Sequence, residues 1–215
     1  MPAFATDTDL LHWEPNLLSD AAFASQTLIS GTGALSGTSF TIASGSFVDS
    51  MVSANQLIKL GSPLDGTYPV VAVVNATTLT LSVMYDGLYP EGGGAPQAGP
   101  IGSAASVAYA VHTFFPQRMI VSELLLQAAG LGPDQGSAIL NPTSLKRACT
   151  LGSLQMIYNA LAAAAADPTE FSVRADLYER LYRRALRSAS VEIDLDGDGV
   201  PESRRALNVL ELRRA

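Results

Sequence analysis

The residues that come nearest to a chemical site stand near the end of the chain, in Asp194-Leu195-Asp196-Gly197-Asp198-Gly199-Val200-Pro201-Glu202. Carboxylates at alternate positions, with glycines that permit a sharp turn, form the first half of a calcium loop, in which oxygen donors converge on a hard cation. The second half is missing, because the twelfth position, which should carry a bidentate Glu, is Arg205, and Pro201 stiffens the segment. The competing reading is a tight turn between two strands, since Asp and Gly adopt positive φ at little cost. The turn is preferred and no metal is expected; were calcium bound, Asp194, Asp196 and Asp198 would hold it.

A second grouping is basic. Arg180, Arg183, Arg184 and Arg187 recur at spacings of three and four beside the apolar Tyr178, Leu181 and Tyr182, so on a helix they form one charged face next to one apolar stripe. One reading is a solvated face paired with Asp176 and Glu179, which would contribute little. The other is a contact with an acidic neighbouring subunit, which the acidic front half of the same chain could supply.

Nothing else gathers reactive groups. Gly31-Thr32-Gly33-Ala34-Leu35-Ser36-Gly37 lacks the Lys-Ser/Thr of a phosphate loop and precedes a strand, so it is read as a turn. His12 and His112 have no Cys or carboxylate at ligand spacing. No Gly-x-Ser-x-Gly elbow occurs, and Cys149 falls on an apolar stripe, where it packs as a small core residue. No enzyme and no cofactor are expected.

These residues need elements to carry them. Thr6 or Asp7 can cap a short helix bearing Leu10, Leu11 and Trp13, which Pro15 ends, and Leu17 to Leu28 has helical character. From about Thr27 to Thr113 the period falls to two, predicting strands over Ser39 to Ala43, Gln56 to Leu60, Thr67 to Val74, Thr77 to Val83 and Ser106 to Phe114. Gly31-Thr32-Gly33, Pro63-Leu64-Asp65-Gly66 and Asn75-Ala76 supply turns, and the Gly- and Pro-rich Tyr89 to Ser103 reads as a mobile loop. Strands without intervening helices must close on one another, as a barrel or sandwich.

After Phe115-Pro116 the helical period returns in three stripes: Ile120, Leu124, Leu125 and Ala128; Leu145, Ala148, Leu151, Leu154, Gln155, Tyr158 and Leu161; Phe171, Ala175, Tyr178, Leu181, Tyr182 and Leu186. Pro142 and Pro168 open the second and third helices. The fold class expected is α+β. A helical bundle domain is built from residues 1–26 and 116–189, a small antiparallel β-barrel or sandwich is inserted over 27–115, and 190–215 is a C-terminal hairpin or extended arm. Removal of that arm should leave the helical core folded.

Composition sets limits on function. A hydrophobic share of 47% suits a folded domain, whereas a charged share of 15% falls below the roughly 25% of ordinary soluble domains and hints at surface buried between subunits. A formal charge of -7 argues against a protein whose main work is gripping nucleic acid. The single cysteine fits a reducing cytoplasm, and no apolar run is long enough for a membrane span.

The opening Ala5-Thr6-Asp7-Thr8-Asp9-Leu10-Leu11 with Glu14-Pro15, and the ladder of three helices, resemble head-tail connector proteins, or adaptors, of tailed bacteriophages and gene transfer agents. The ending is similar too, in Ile193-Asp194-Leu195-Asp196-Gly197-Asp198-Gly199 and then Asn208-Val209-Leu210-Glu211-Leu212-Arg213-Arg214. The β region, with Leu57-Ile58-Lys59-Leu60, Gly66-Thr67-Tyr68-Pro69-Val70 and Ala76-Thr77-Thr78-Leu79-Thr80-Leu81, looks like small β modules of phage structural proteins.

The resemblance implies a structural virion protein at the neck, assembled in the bacterial host cytoplasm. It would form a dodecameric ring that joins the portal protein to tail-side stopper or tail proteins, with DNA passing through without tight binding. The arm would reach the portal. Arg180, Arg183, Arg184, Arg187, Leu207, Val209, Leu210, Leu212, Arg213 and Arg214 are the interface residues expected, because an apolar extended arm gains affinity by filling a neighbour's groove. The barrel departs from the minimal all-helical adaptor. The alternative is a decoration or host- and glycan-binding module that uses the β domain, with Tyr85 and Tyr89 as its aromatic candidates.

Overall fold

Alternating apolar residues can be buried only if the strands that carry them share a face, and here they do so by closing. A computed structural model describes residues 3–88 and 95–207. Strands β1 (Thr27–Gly37), β2 (Ser39–Ile42), β3 (Leu57–Leu60), β4 (Gly66–Asn75), β5 (Thr78–Leu81) and β6 (Gly102–His112) form a closed antiparallel barrel in the order β1-β2-β5-β4-β3-β6. Closure leaves no strand edge open to pair with another chain. Phe40 and Ile42 of β2 and Leu79 and Leu81 of β5 point inward at alternate positions. At the centre Tyr109 meets Phe40 and Phe47 edge-on, with ring centroids 5.1 and 6.0 Å apart.

Two turns stand where the turn residues predict them. The Asn75 carboxamide accepts the Thr77 amide at 2.9 Å, and the Leu64 and Asp65 amides both donate to the Gly61 carbonyl. The expected turn at Gly31-Thr32-Gly33 is corrected, for these residues lie inside β1. Glycine marks close approach there: Gly31 lies under the Tyr109 ring, and a Cβ on Gly33 would stand 2.7 Å from the Thr41 carbonyl oxygen and against the Phe40 ring. The register slips beside it, between Gly33 and Leu35. The later part of the segment expected as a mobile loop is tied down: β6 begins at Gly102, and Gln97, Gly99 and Ile101 donate to Gly87, Ser82 and Gly37.

The chain divides into two compact units, Asp7–Phe114 and a second that joins residues 3–6 to 115–207. The opening helices α1 (Asp7–Trp13) and α2 (Leu17–Asp20), expected with the later helices, therefore belong with the barrel. They are too short to offer a bundle its apolar face, and the barrel takes up their free groups instead. The Thr8 amide donates to the Asn55 carbonyl at 3.1 Å and Lys59 Nζ to the Leu18 carbonyl at 3.1 Å. The Asp7 carboxylate accepts the Phe114 amide at 3.0 Å and the Thr113 hydroxyl at 2.9 Å, which ties the two ends of this unit together. Helical character does not run to Leu28; a short 3-10 turn, Ala24–Gln26, leads into β1.

In the other unit α3 (Phe115–Ala128) and α5 (Thr169–Ser188) pack on α4 (Thr143–Ala164), which is buried on every side from Ala148 to Leu154. Gly152 permits the packing: a Cβ there would lie 2.8 Å from Val121 of α3 and 3.1 Å from Tyr182 of α5. The fully buried Tyr158 stacks on Tyr178 at 5.6 Å and on Phe171 at 6.3 Å. The stripe expected for α3 is displaced by one residue. Val121, Leu125, Leu126 and Ala129 are buried, while Ile120, Leu124 and Ala128 face solvent. Residues 3–6 lie along α3, where the Phe4 amide donates to Ser122 Oγ at 3.1 Å and Arg118 donates to the Ala5 carbonyl.

The tail is a hairpin, β7 (Ser190–Ile193) and β8 (Ser203–Ala206), and through Leu207 it is folded onto the helical unit. Val191 and Ile193 are buried, Ile139 bridges to Ile193, and Asn141 receives the Glu192 amide while donating to the Ser190 carbonyl. The hairpin is thus part of the helical unit's core, against the expectation that residues beyond Ser190 form a separable arm. Among the described residues no helix is long and apolar enough to cross a membrane.

Candidate functional site

The outward face of α5 follows from its inward one. Asp167 precedes the helix and accepts the Thr169 amide at 3.0 Å; that residue's hydroxyl and amide hold the Asp167 carboxyl below its ordinary range. Glu170 in the first turn and Arg187 in the last suit the helix dipole. Ala175, Tyr178 and Ala185 are buried against α4, so positions opposite them on the 3.6-residue repeat must face solvent. Those positions are Val173, Leu177, Arg180, Arg184 and Arg187, with Arg183 beside them.

All four sequence-predicted arginines are exposed and line one open depression. Arg183 pairs with Glu179, as expected. The pairing with Asp176 is not made, and among the described residues Arg180, Arg184 and Arg187 have no acidic partner. Like charges at i, i+4 destabilise a helix by roughly 0.2–0.5 kcal/mol per pair, so this row costs the isolated subunit a little. Val173 and Leu177 continue the ridge toward the N-terminus, exposed by 62% and 44%. Sequence reasoning missed both, because it sought apolar residues only on the buried stripe.

The tip of the β7–β8 hairpin is the second feature. Asp194 sits buried at its base and accepts the amides of Gly197 at 2.7 Å and Gly199 at 2.8 Å, contacts that hold its carboxyl below the ordinary range, the Gly199 amide foremost. Asp196 and Asp198 accept the amides of Asp198 and Val200, and Glu202 accepts those of Leu195 and Asp196. The preferred turn is therefore present, with Gly197 and Gly199 at positive φ. Asp194, Asp196, Asp198 and Glu202 each offer an oxygen, all within 4.8 Å of one another, a donor set of the kind that suits a hard cation. Glu202, at the ninth position of the loop, had not been counted among the ligands; Arg205 instead turns away to donate to the Ala129 carbonyl at 2.8 Å. Leu195 and Val200 flank the tip, each 62% exposed.

Comparison of the chain with family models, with curated proteins and with solved structures finds no match.

The remaining candidates are placed as follows. Leu207 is buried, 9% exposed, with its amide on the Ala189 carbonyl, so it is spent within the subunit. Val209, Leu210, Leu212, Arg213 and Arg214 lie outside the described residues, as does Tyr89. Tyr85 is half-exposed, but its ring packs over Gly87 and Gly99 and its hydroxyl donates to the Gln97 carbonyl, which makes it a brace for the loop. Cys149 is buried beside Ser122, 3.4 Å away, and burial pushes its thiol up, away from the thiolate a nucleophile needs. His112 lies in the barrel wall 3.2 Å from the Thr27 hydroxyl, and His12 is exposed on α1.

Proposed function

We propose that this chain is a non-catalytic structural subunit that assembles into a ring at the head-tail junction of a tailed phage or phage-like particle. One observation carries the reading: α5 turns to solvent, on a single ridge, two large apolar residues and three arginines that have no acidic partner among the described residues. A helix held by its other face gains nothing from that pattern alone, whereas a covering polypeptide would desolvate the apolar residues and neutralise the charge. The resemblance of both chain ends and of the helical ladder to head-tail adaptors supplies the location. In that reading the ring sits between the portal and tail-side neck proteins, and DNA passes without tight binding, in keeping with the net charge of -7. Residues 208–215 are assigned to the portal.

Electron microscopy of the purified chain, alone and with a portal protein of the same particle, tests the proposal. Rings of uniform diameter that cap the portal are expected. A species that stays monomeric and never associates with the portal, with residues 208–215 intact, would overturn it.

A further inference from the structure

The ring reading leaves open which surfaces of neighbouring subunits meet, and the inference that follows rests on it. We infer that the acidic tip of the β7–β8 hairpin of one copy docks onto the arginine ridge of α5 in the next copy. Each surface has what the other lacks. Between Asp194 and Glu202 there are four carboxylates and no base; on the ridge three guanidinium groups stand without an acidic partner among the described residues.

The apolar pattern matches as well. Leu195 and Val200 flank the carboxylates, and Val173 and Leu177 continue the line of the arginines, all exposed in the single subunit. From Leu177 to Arg184 the ridge spans on the order of 10 Å at 1.5 Å per residue, comparable with a tight hairpin tip. Apolar residues in line with the arginines favour a polypeptide over a nucleic acid, whose phosphates would leave Val173 and Leu177 uncovered.

The tip is also pre-organised. Asp194 is held by the amides of Gly197 and Gly199, and Glu202 by those of Leu195 and Asp196, so little ordering remains to be done on docking. Because ridge and tip are different patches of one chain, each docking leaves a free ridge at one end and a free tip at the other. That is a heterologous contact, which closes into a ring when the rotation permits.

Charge exchange on the full chain tests the contact. One variant carries Arg180→Glu and Arg184→Glu, the other Asp196→Lys and Asp198→Lys, and association is followed by light scattering. Each variant alone should associate at least about tenfold more weakly than the parent, since several charges at one interface change sign. An equimolar mixture should recover association, because every ridge then finds a tip of opposite charge. The variant Asp196→Asn with Asp198→Asn keeps the oxygens that accept the loop amides while losing the charge, and it too should associate weakly, whatever the lysines do to the loop.

Rings that form equally well in both charge-reversed variants would overturn this contact and leave the ring reading standing. So would a mixture that stays apart although each variant is folded by circular dichroism. Loss of affinity for a short DNA duplex in the arginine variant, with assembly untouched, would assign the ridge to nucleic acid and overturn the contact as well. A parent chain that is monomeric at every concentration would overturn this contact, and one that also never associates with the portal would overturn the ring reading as well.

Discussion

Single residues decide how tightly this chain can close on itself. Gly33 is the sharpest case: a methyl group there meets the Thr41 carbonyl at 2.7 Å, and backbone inside a closed barrel cannot step aside. Gly33→Ala should therefore destabilise the barrel by about 1–3 kcal/mol, the cost of over-packing, read from denaturant midpoints. His112 makes the barrel sensitive to acid. Burial, and secondarily Lys59, lower its pKa, so between that value and about 6.5 the unfolded chain binds more protons than the folded one, and stability rises with pH. Barrel stability should fall as pH drops from 7 toward 5, and a neutral residue at 112 should flatten that slope. Asp194 acts in a lower window. Its carboxyl is depressed in the fold, so its contribution is complete above about pH 5 and is lost as the pH falls below about 3.9 and through the folded value. Asp194→Asn should remove that acid dependence and weaken protection of the Gly197 and Gly199 amides from hydrogen exchange.

Elements show how packing sets one face of a helix and frees the other. Alanine at Gly152 would gain about 1 kcal/mol of helix propensity. Its Cβ would also press on Val121 and Tyr182 at 2.8 and 3.1 Å. Over-packing costs about 1–3 kcal/mol, so Gly152→Ala should be net destabilising by up to about 2 kcal/mol and Gly152→Val by more, measured by thermal unfolding. The outward face of α5 should respond differently. Arg184→Ala removes no ion pair among the described residues and relieves like-charge repulsion, so the isolated subunit should change by less than about 0.5 kcal/mol, toward greater stability if anything. A residue that is silent in the monomer and decisive in the assembly is the signature expected of an interface.

At the scale of the whole molecule the division into units has consequences for truncation. Residues 7–114 are continuous in sequence, close on themselves as a barrel, and are fastened at both ends through Asp7. That segment should fold alone, giving a β-type circular dichroism spectrum and a cooperative transition. A fragment that begins at Thr27 and lacks α1 and α2 should be less stable, since it loses the Asp7 carboxylate that holds Thr113 and Phe114 and the Leu18 carbonyl that receives Lys59. Cutting after Leu207 keeps the hairpin and should preserve stability while removing the segment assigned to the portal. Cutting after Ser188 removes Val191 and Ile193 from the helical unit and should cost several kcal/mol, at about 2–5 for each large buried side chain deleted.

Period and punctuation along the chain were enough to establish the α+β class, an all-β segment that had to close, three later helices with their proline starts, and the turns at Asn75 and Asp65. Those features depend on local chemistry, on spacing along one strand or helix and on which residues accept a turn. Where the fold turned on contacts distant in sequence, spacing was silent or misleading. Glycines at 31 and 33 looked like a turn because only the rings of Tyr109 and Phe40 explain them as strand. Ile120 and Leu124 looked buried because periodicity gives a stripe its spacing but not its phase, which α4 settles. The arginine row and the carboxylate loop could be read in advance as a charged face and a turn. That three of the arginines lack an acidic partner among the described residues, that Glu202 joins the loop, and that Leu207 is buried within the subunit followed only from tertiary packing, because pairing and burial are properties of neighbours in space.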